Sequence, residues 1–147
     1  MTAPPRPRSV DIAFWLLLVG AVLLVLGGLL AATLSFDTVR QMAAASVSDD
    51  TIRRTLTFHR GAGVFCVLAG AALGFVTGRT RGGDTRFRRA TIALSLVIVV
   101  LVALLAVFAG THVLSLLALL PIIAGAMLLG RPATAEWFGT GQEPGND

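Results

Sequence analysis

His59, Cys66 and His112 are the residues of this chain whose types best suit a metal or a haem. Imidazole nitrogen and thiolate sulfur are common zinc ligands, and two histidines from different helices can hold a haem iron from both faces. His59 and Cys66 are seven positions apart, so on a helix they share one side but stand ~10 Å apart along the axis. One ion with ligands at ~2.0–2.3 Å reaches both only if the helix breaks. Neither has a third strong ligand close by in the sequence. Cys66 is the only cysteine, which rules out an internal disulfide. The residues therefore point to no cofactor and no metal. Axial haem ligation by His59 and His112, in a redox protein, is the competing reading.

Other chemistry finds little support. The chain has no lysine, and so no Gly-rich phosphate loop of the usual kind. It offers no paired carboxylates in a plausible pocket and no nucleophile–histidine–acid set. Ser95 and Ser115 lie in apolar runs, where a hydroxyl is expected to bond the preceding helical turn. Ionisable groups inside a membrane mark ion or proton pathways. The four long apolar runs carry none, and Asp11 sits only at the edge of the first, as a helix-capping carboxylate.

Those runs are the elements that must position everything else. Hydrophobic residues make up 55% of the 147-residue chain and the net charge is +4. Uncharged stretches cover residues 12–36, 61–78, 90–111 and 113–130. A helix of ~20 apolar residues crosses ~30 Å of hydrocarbon, and a helix satisfies its own backbone groups where lipid cannot. The fold class is all-α: a polytopic membrane protein with four transmembrane helices in a small antiparallel bundle. The expected spans are 12–36, 58–78, 90–110 and 113–130, flanked by an N-terminal segment 1–11 and a tail 131–147. The first run is too long for a signal-peptide core and lacks a cleavage site at a suitable depth, so it reads as a retained span.

All twelve basic residues are arginine, and they flank the apolar runs instead of lining one face. That pattern is a threading signal and gives no footing to nucleic acid. Segment 1–11, the connection 79–89 and the tail carry eight arginines: Arg6, Arg8, Arg79, Arg81, Arg86, Arg88, Arg89 and Arg131. The other side keeps Arg40, Arg53, Arg54 and Arg60 beside Asp37, Asp49 and Asp50. The bias places both termini in the cytoplasm and the chain in the cytoplasmic membrane. Arg79, Arg81, Arg86, Arg88, Arg89, Arg131 and Trp137 are then membrane-interface residues, and the arginine loop attracts anionic lipid headgroups.

Between the first two spans, "SDDTIRR" carries a helix start. Ser48 caps, Asp49 and Asp50 suit the positive end of the dipole, and Asp49–Arg53 and Asp50–Arg54 are i,i+4 pairs. The second long helix is expected from about residue 49 to about Gly78. Within it Ala62, Cys66, Gly70, Gly74 and Gly78 recur every four residues, a ridge of small side chains ~24 Å long. Such ridges let membrane helices approach closely, inside a bundle or in a homodimer or other membrane-protein partner. Ala13, Gly20, Gly27 and Ala31 make a second small stripe on the first span. Pro121 is expected to kink the fourth.

Three segments carry a resemblance: "VDIAFWLLLVGAVLLVLGG", "TRGGDTRFRRATIALSL" and the tail "GRPATAEWF". They are similar to small four-helix integral membrane proteins of actinobacteria. The resemblance implies the four-span topology and no activity. In that setting Arg131 snorkels, and Trp137 and Phe138 rest at headgroup level. Together the residues favour a non-enzymatic structural or accessory membrane component. A small transporter or lipid-handling protein without a coupling carboxylate is the alternative. Reporter fusions at residue 84 and after residue 147 should both report cytoplasm, and one at residue 46 the outside. A translocated residue 84 would reverse the threading.

Overall fold

A computed structural model describes residues 7–109 and 113–140. It forms six helices: α1 (Arg8–Ala32), α2 (Phe36–Met42), α3 (Asp49–Thr80), α4 (Thr85–Ala109), α5 (Val113–Gly130) and α6 (Pro132–Thr140). Of these α1, α3, α4 and α5 are long and apolar enough to cross a membrane. The chain is an all-α bundle of four such helices.

Local chemistry fixes the boundaries. The first span stops at Ala32, four residues short of the expected Phe36. The Thr33 hydroxyl donates back to the carbonyls of Leu29 (2.8 Å) and Leu30 (3.3 Å), and Ser35 caps a new helix by accepting from the Thr38 amide. Ser48 caps α3 as expected, accepting from the Thr51 amide. Asp50 pairs with Arg54 at 3.2 Å, but Asp49 turns to Arg40 at 3.4 Å. The expected Asp49–Arg53 pair gives way because α2 folds back over the start of α3, and the Arg53 guanidinium lies 5.5 Å from the Phe36 ring centre. At 32 residues α3 is roughly 48 Å long, so its first turns stand clear of a ~30 Å hydrocarbon layer.

The α3–α4 connection is short. Gly83 adopts φ +77°, a left-handed backbone that a side chain would strain. Asp84 then starts α4, its carboxylate accepting from the Arg86 amide and its carbonyl from the Arg88 amide. Pro121 lies within α5, which continues as one helix.

Neighbouring helices run antiparallel, with α1 and α4 each packed between α3 and α5. The core holds Leu17, Ala21 and Leu24 of α1, Leu73 of α3, Ile98 and Val102 of α4, and Ile122 of α5. The tightest packing is around α1. A Cβ added to Gly28 would stand 2.6 Å from the Gly63 carbonyl oxygen, and one on Gly63 would stand 2.5 Å from that of Gly28. On the opposite side of α1, a Cβ on Gly27 would meet the Ser115 amide nitrogen at 2.9 Å, and one on Gly125 the Ala13 carbonyl oxygen at 3.1 Å. Backbone touches backbone on both flanks of one helix.

Gly63→Leu should therefore lower the thermal stability of the detergent-solubilised protein, by the ~1–3 kcal/mol typical of overpacking or more. Gly61→Leu should leave it unchanged, because nothing lies within 4 Å of a Cβ there. Equal melting temperatures for the two variants would contradict this packing.

Candidate functional site

The densest polar cluster of the described residues lies at one end of the bundle, where the start of α1, the α3–α4 turn and α6 come together. Arg81 reaches Asp11 at 3.9 Å and stacks its guanidinium 4.2 Å from the Phe14 ring centre. Asp11 thus faces the arginine that follows α3 and does not cap α1, whose N-cap is Pro7. Arg88 donates through Nε to the Leu129 carbonyl at 2.8 Å, satisfying one of the carbonyls left open at the end of α5. The Thr134 hydroxyl donates to the neighbouring Leu128 carbonyl at 3.1 Å. Thr85 does the same for α6, donating to Phe138 O at 3.0 Å, and the Ser9 and Thr134 hydroxyls bond at 3.2 Å.

α6 was legible in part. Pro132 at its first position is a start signal, because the missing amide is one a helix leaves unpaired anyway. Phe138, expected at headgroup level, packs inside the protein. Phe138 is fully buried, with Trp137 set edge-on at 4.9 Å. Trp137 is half-buried and packs against the bare face of Gly83. Arg79 is exposed over the Phe75 ring at 5.4 Å, and Arg86, Arg89 and Arg131 are exposed as well.

The ridge of α3 divides. Cys66 and Gly70 are buried against α1, with a Cβ on Gly70 falling 2.8 Å from the Ala21 carbonyl oxygen. Ala62 and Gly74 are half-buried, and Gly78 is exposed with nothing within 4 Å of its Cβ position. The cause is geometric. Four residues turn a helix by about 400°, so a strict fourfold repeat drifts ~40° per step and ~160° over five members. The close approach instead follows Gly63, Cys66, Gly70, Leu73 and Thr77. On α1 the second stripe faces mainly α5, and Gly28, outside that stripe, meets α3.

His59 is half-buried near the other end. Its Nδ1 lies 2.9 Å from the Thr55 carbonyl, which can only accept, so Nδ1 is the donor. Cys66 is buried and faces the interior. His112 lies outside the described residues. Among the described residues, no three His, Cys, Asp or Glu side chains gather within reach of one ion.

Sequence reasoning missed a buried hydroxyl group set. Thr77, Thr91 and Ser95 are fully buried, and none of their hydroxyls has a hydrogen-bond partner among the described residues. Ser95 does not bond the preceding turn as expected. With this geometry in hand, comparison with family models, curated proteins and solved structures finds no match.

An unpaired buried hydroxyl costs roughly 1–3 kcal/mol. Thr91→Val keeps the shape and removes the hydroxyl, so it should hold or raise the melting temperature in detergent. A marked drop would mean that Thr91 bonds a polar group in the folded protein.

Proposed function

We propose that the chain is a non-enzymatic structural or accessory component of the cytoplasmic membrane, with both termini inside. We place it beside the small four-helix proteins of actinobacteria that its three interfacial segments resemble. One observation carries the functional reading: α1 is clasped on both flanks at backbone distance, by Gly63 and Gly70 of α3 and by Gly125 and Ser115 of α5. A carrier that alternates between two faces needs two packings of comparable energy. Interlocked backbones favour one, since sliding either partner along α1 drives carbonyl oxygens into Cβ atoms. Rigidity of this kind suits a part that holds a shape for others.

The threading rests on charge and on geometry together. Residues 8–11, 79–89 and 131–138 meet at one end of the bundle, joined by Arg81–Asp11, Thr85–Phe138 and Ser9–Thr134. These are the segments richest in arginine, which the positive-inside bias assigns to the cytoplasm. The opposite end is fastened separately, with Arg60 donating to the Leu34 carbonyl at 2.9 Å and Arg40 to the Val47 carbonyl at 2.6 Å.

The test is gentle solubilisation from the native membrane followed by native electrophoresis and mass analysis. A reproducible stoichiometric complex with another membrane protein is the expected result. A chain that migrates alone and, reconstituted by itself, carries solutes across liposomes would overturn the reading.

A further inference from the structure

We propose that the groove between α4 and α5 binds a neutral, lipid-soluble molecule through a ring carbonyl, the chemistry of a quinone, with Ser95 as the hydrogen-bond donor. The inference goes beyond the accessory role and needs only that the bundle sits in lipid. The groove has a volume of about 160 Å³. An apolar cavity of ~150 Å³ holds one benzene-sized ring. Ser95 and Val99 of α4 and Ala126 of α5 are the more buried part of the lining, and Leu96, Ile123 and Met127 are exposed around them. The small side chain of Ala126 leaves the space open from the α5 side. α4 is the span best able to accommodate a guest. It contains no glycine and takes no part in the backbone contacts that hold α1 between α3 and α5. Met127 adds an unbranched, polarisable side chain that adapts to different shapes.

Ser95 selects the occupant. It is fully buried, and its hydroxyl has no partner among the described residues. Thr91, one turn earlier on the same helix, is unpartnered as well, so the two hydroxyls do not bond each other. A serine in an apolar helix ordinarily donates to the preceding turn. Here that bond is absent, so a change of χ1 rotamer breaks nothing as it turns the hydroxyl proton toward the groove. An acyl chain lying in the groove offers no acceptor and leaves the hydroxyl unpaired. A carbonyl oxygen accepts it. Depth decides which carbonyl. Ser95 lies six residues, ~9 Å, beyond Arg89 along α4 and inside the uncharged run. The ester carbonyls of phospholipids stay at the border with the polar headgroups, whereas an uncharged ring carbonyl dissolves in the hydrocarbon and reaches this level. The lining carries no charged residue, so a carboxylate or an amine would enter without a counter-charge.

Binding of a tritiated benzoquinone with a ten-carbon chain to the immobilised full chain in mild detergent tests the site, with the same ten-carbon chain on plain benzene as competitor. The quinone should bind saturably, one per chain. The alkylbenzene should bind roughly fivefold more weakly, the factor equivalent to ~1 kcal/mol for one hydrogen bond. Ser95→Ala should bring the two ligands to parity while holding or raising the melting temperature, because it removes an unpaired hydroxyl and keeps the packing. Ala126→Leu and Val99→Phe, which fill the groove from opposite helices, should each abolish saturable binding of both ligands. Ala71→Leu, at an exposed position of α3, should leave binding unchanged. Parity of the two ligands in the unmodified chain would overturn the proposal, as would a quinone preference that survives Ser95→Ala or saturable binding that survives both filling variants.

Discussion

In lipid the hydrophobic effect does not draw helices together, because a neighbouring acyl chain is as apolar as leucine. Association has to come from close van der Waals fit and from polar contacts that lipid cannot supply. The fit of α1 against α3 and α5 is therefore the interaction on which the rest of this bundle depends. Gly28 and Gly63 bring two backbones together on one flank, and Gly27, Gly125 and Ser115 do so on the other. With α1 wedged in this way, α4 needs only ordinary side-chain packing through Ile98 and Val102 to close the ring.

The polar groups are divided by depth. The two ends carry the charges, and each end is sealed by arginines that satisfy carbonyls at helix or turn termini: Arg88 on α5, Arg60 beyond α1 and Arg40 before α3. The middle holds hydroxyls and one thiol. Cys66 and Ser115 are both buried there, beside the Gly27–Gly28 pair that lets three helices converge. A hydroxyl costs far less to bury than a charge, so a bundle can tolerate Thr77, Thr91 and Ser95 inside when it could not tolerate a carboxylate.

Much of the architecture could be read from the residues. The apolar runs mark four spans because a membrane imposes one length on all of them, and Ser48 with two following aspartates marks a helix start wherever it occurs. The ends were harder. Thr33 and Ser35 stop the first span inside a stretch that is still uncharged, through hydroxyl bonds that hydropathy does not register. Phe138 reads as an interfacial aromatic until α6 is seen to fold under the bundle and bury it. The ridge was visible as a repeat, but its register was not. Gly63 and Gly74 are equivalent as letters, and only the direction of α1 makes one a contact and the other an opening. The unpaired hydroxyls were not legible either, since hydropathy places Ser95 in an apolar run but does not register what lies opposite it.

The central place of α1 has a consequence for synthesis. It precedes both of its partners in the chain, and α5 follows it by some eighty residues. While α3 and α4 are being made, the flank of α1 that will receive Gly125 faces lipid, with Gly20 and Gly27 bare. That flank contains no charge and no strong polar group, so waiting costs little. A helix that must lie unaccompanied before it is gripped is best made of glycine, alanine and leucine, and from Ile12 to Ala32 α1 consists almost wholly of these and valine.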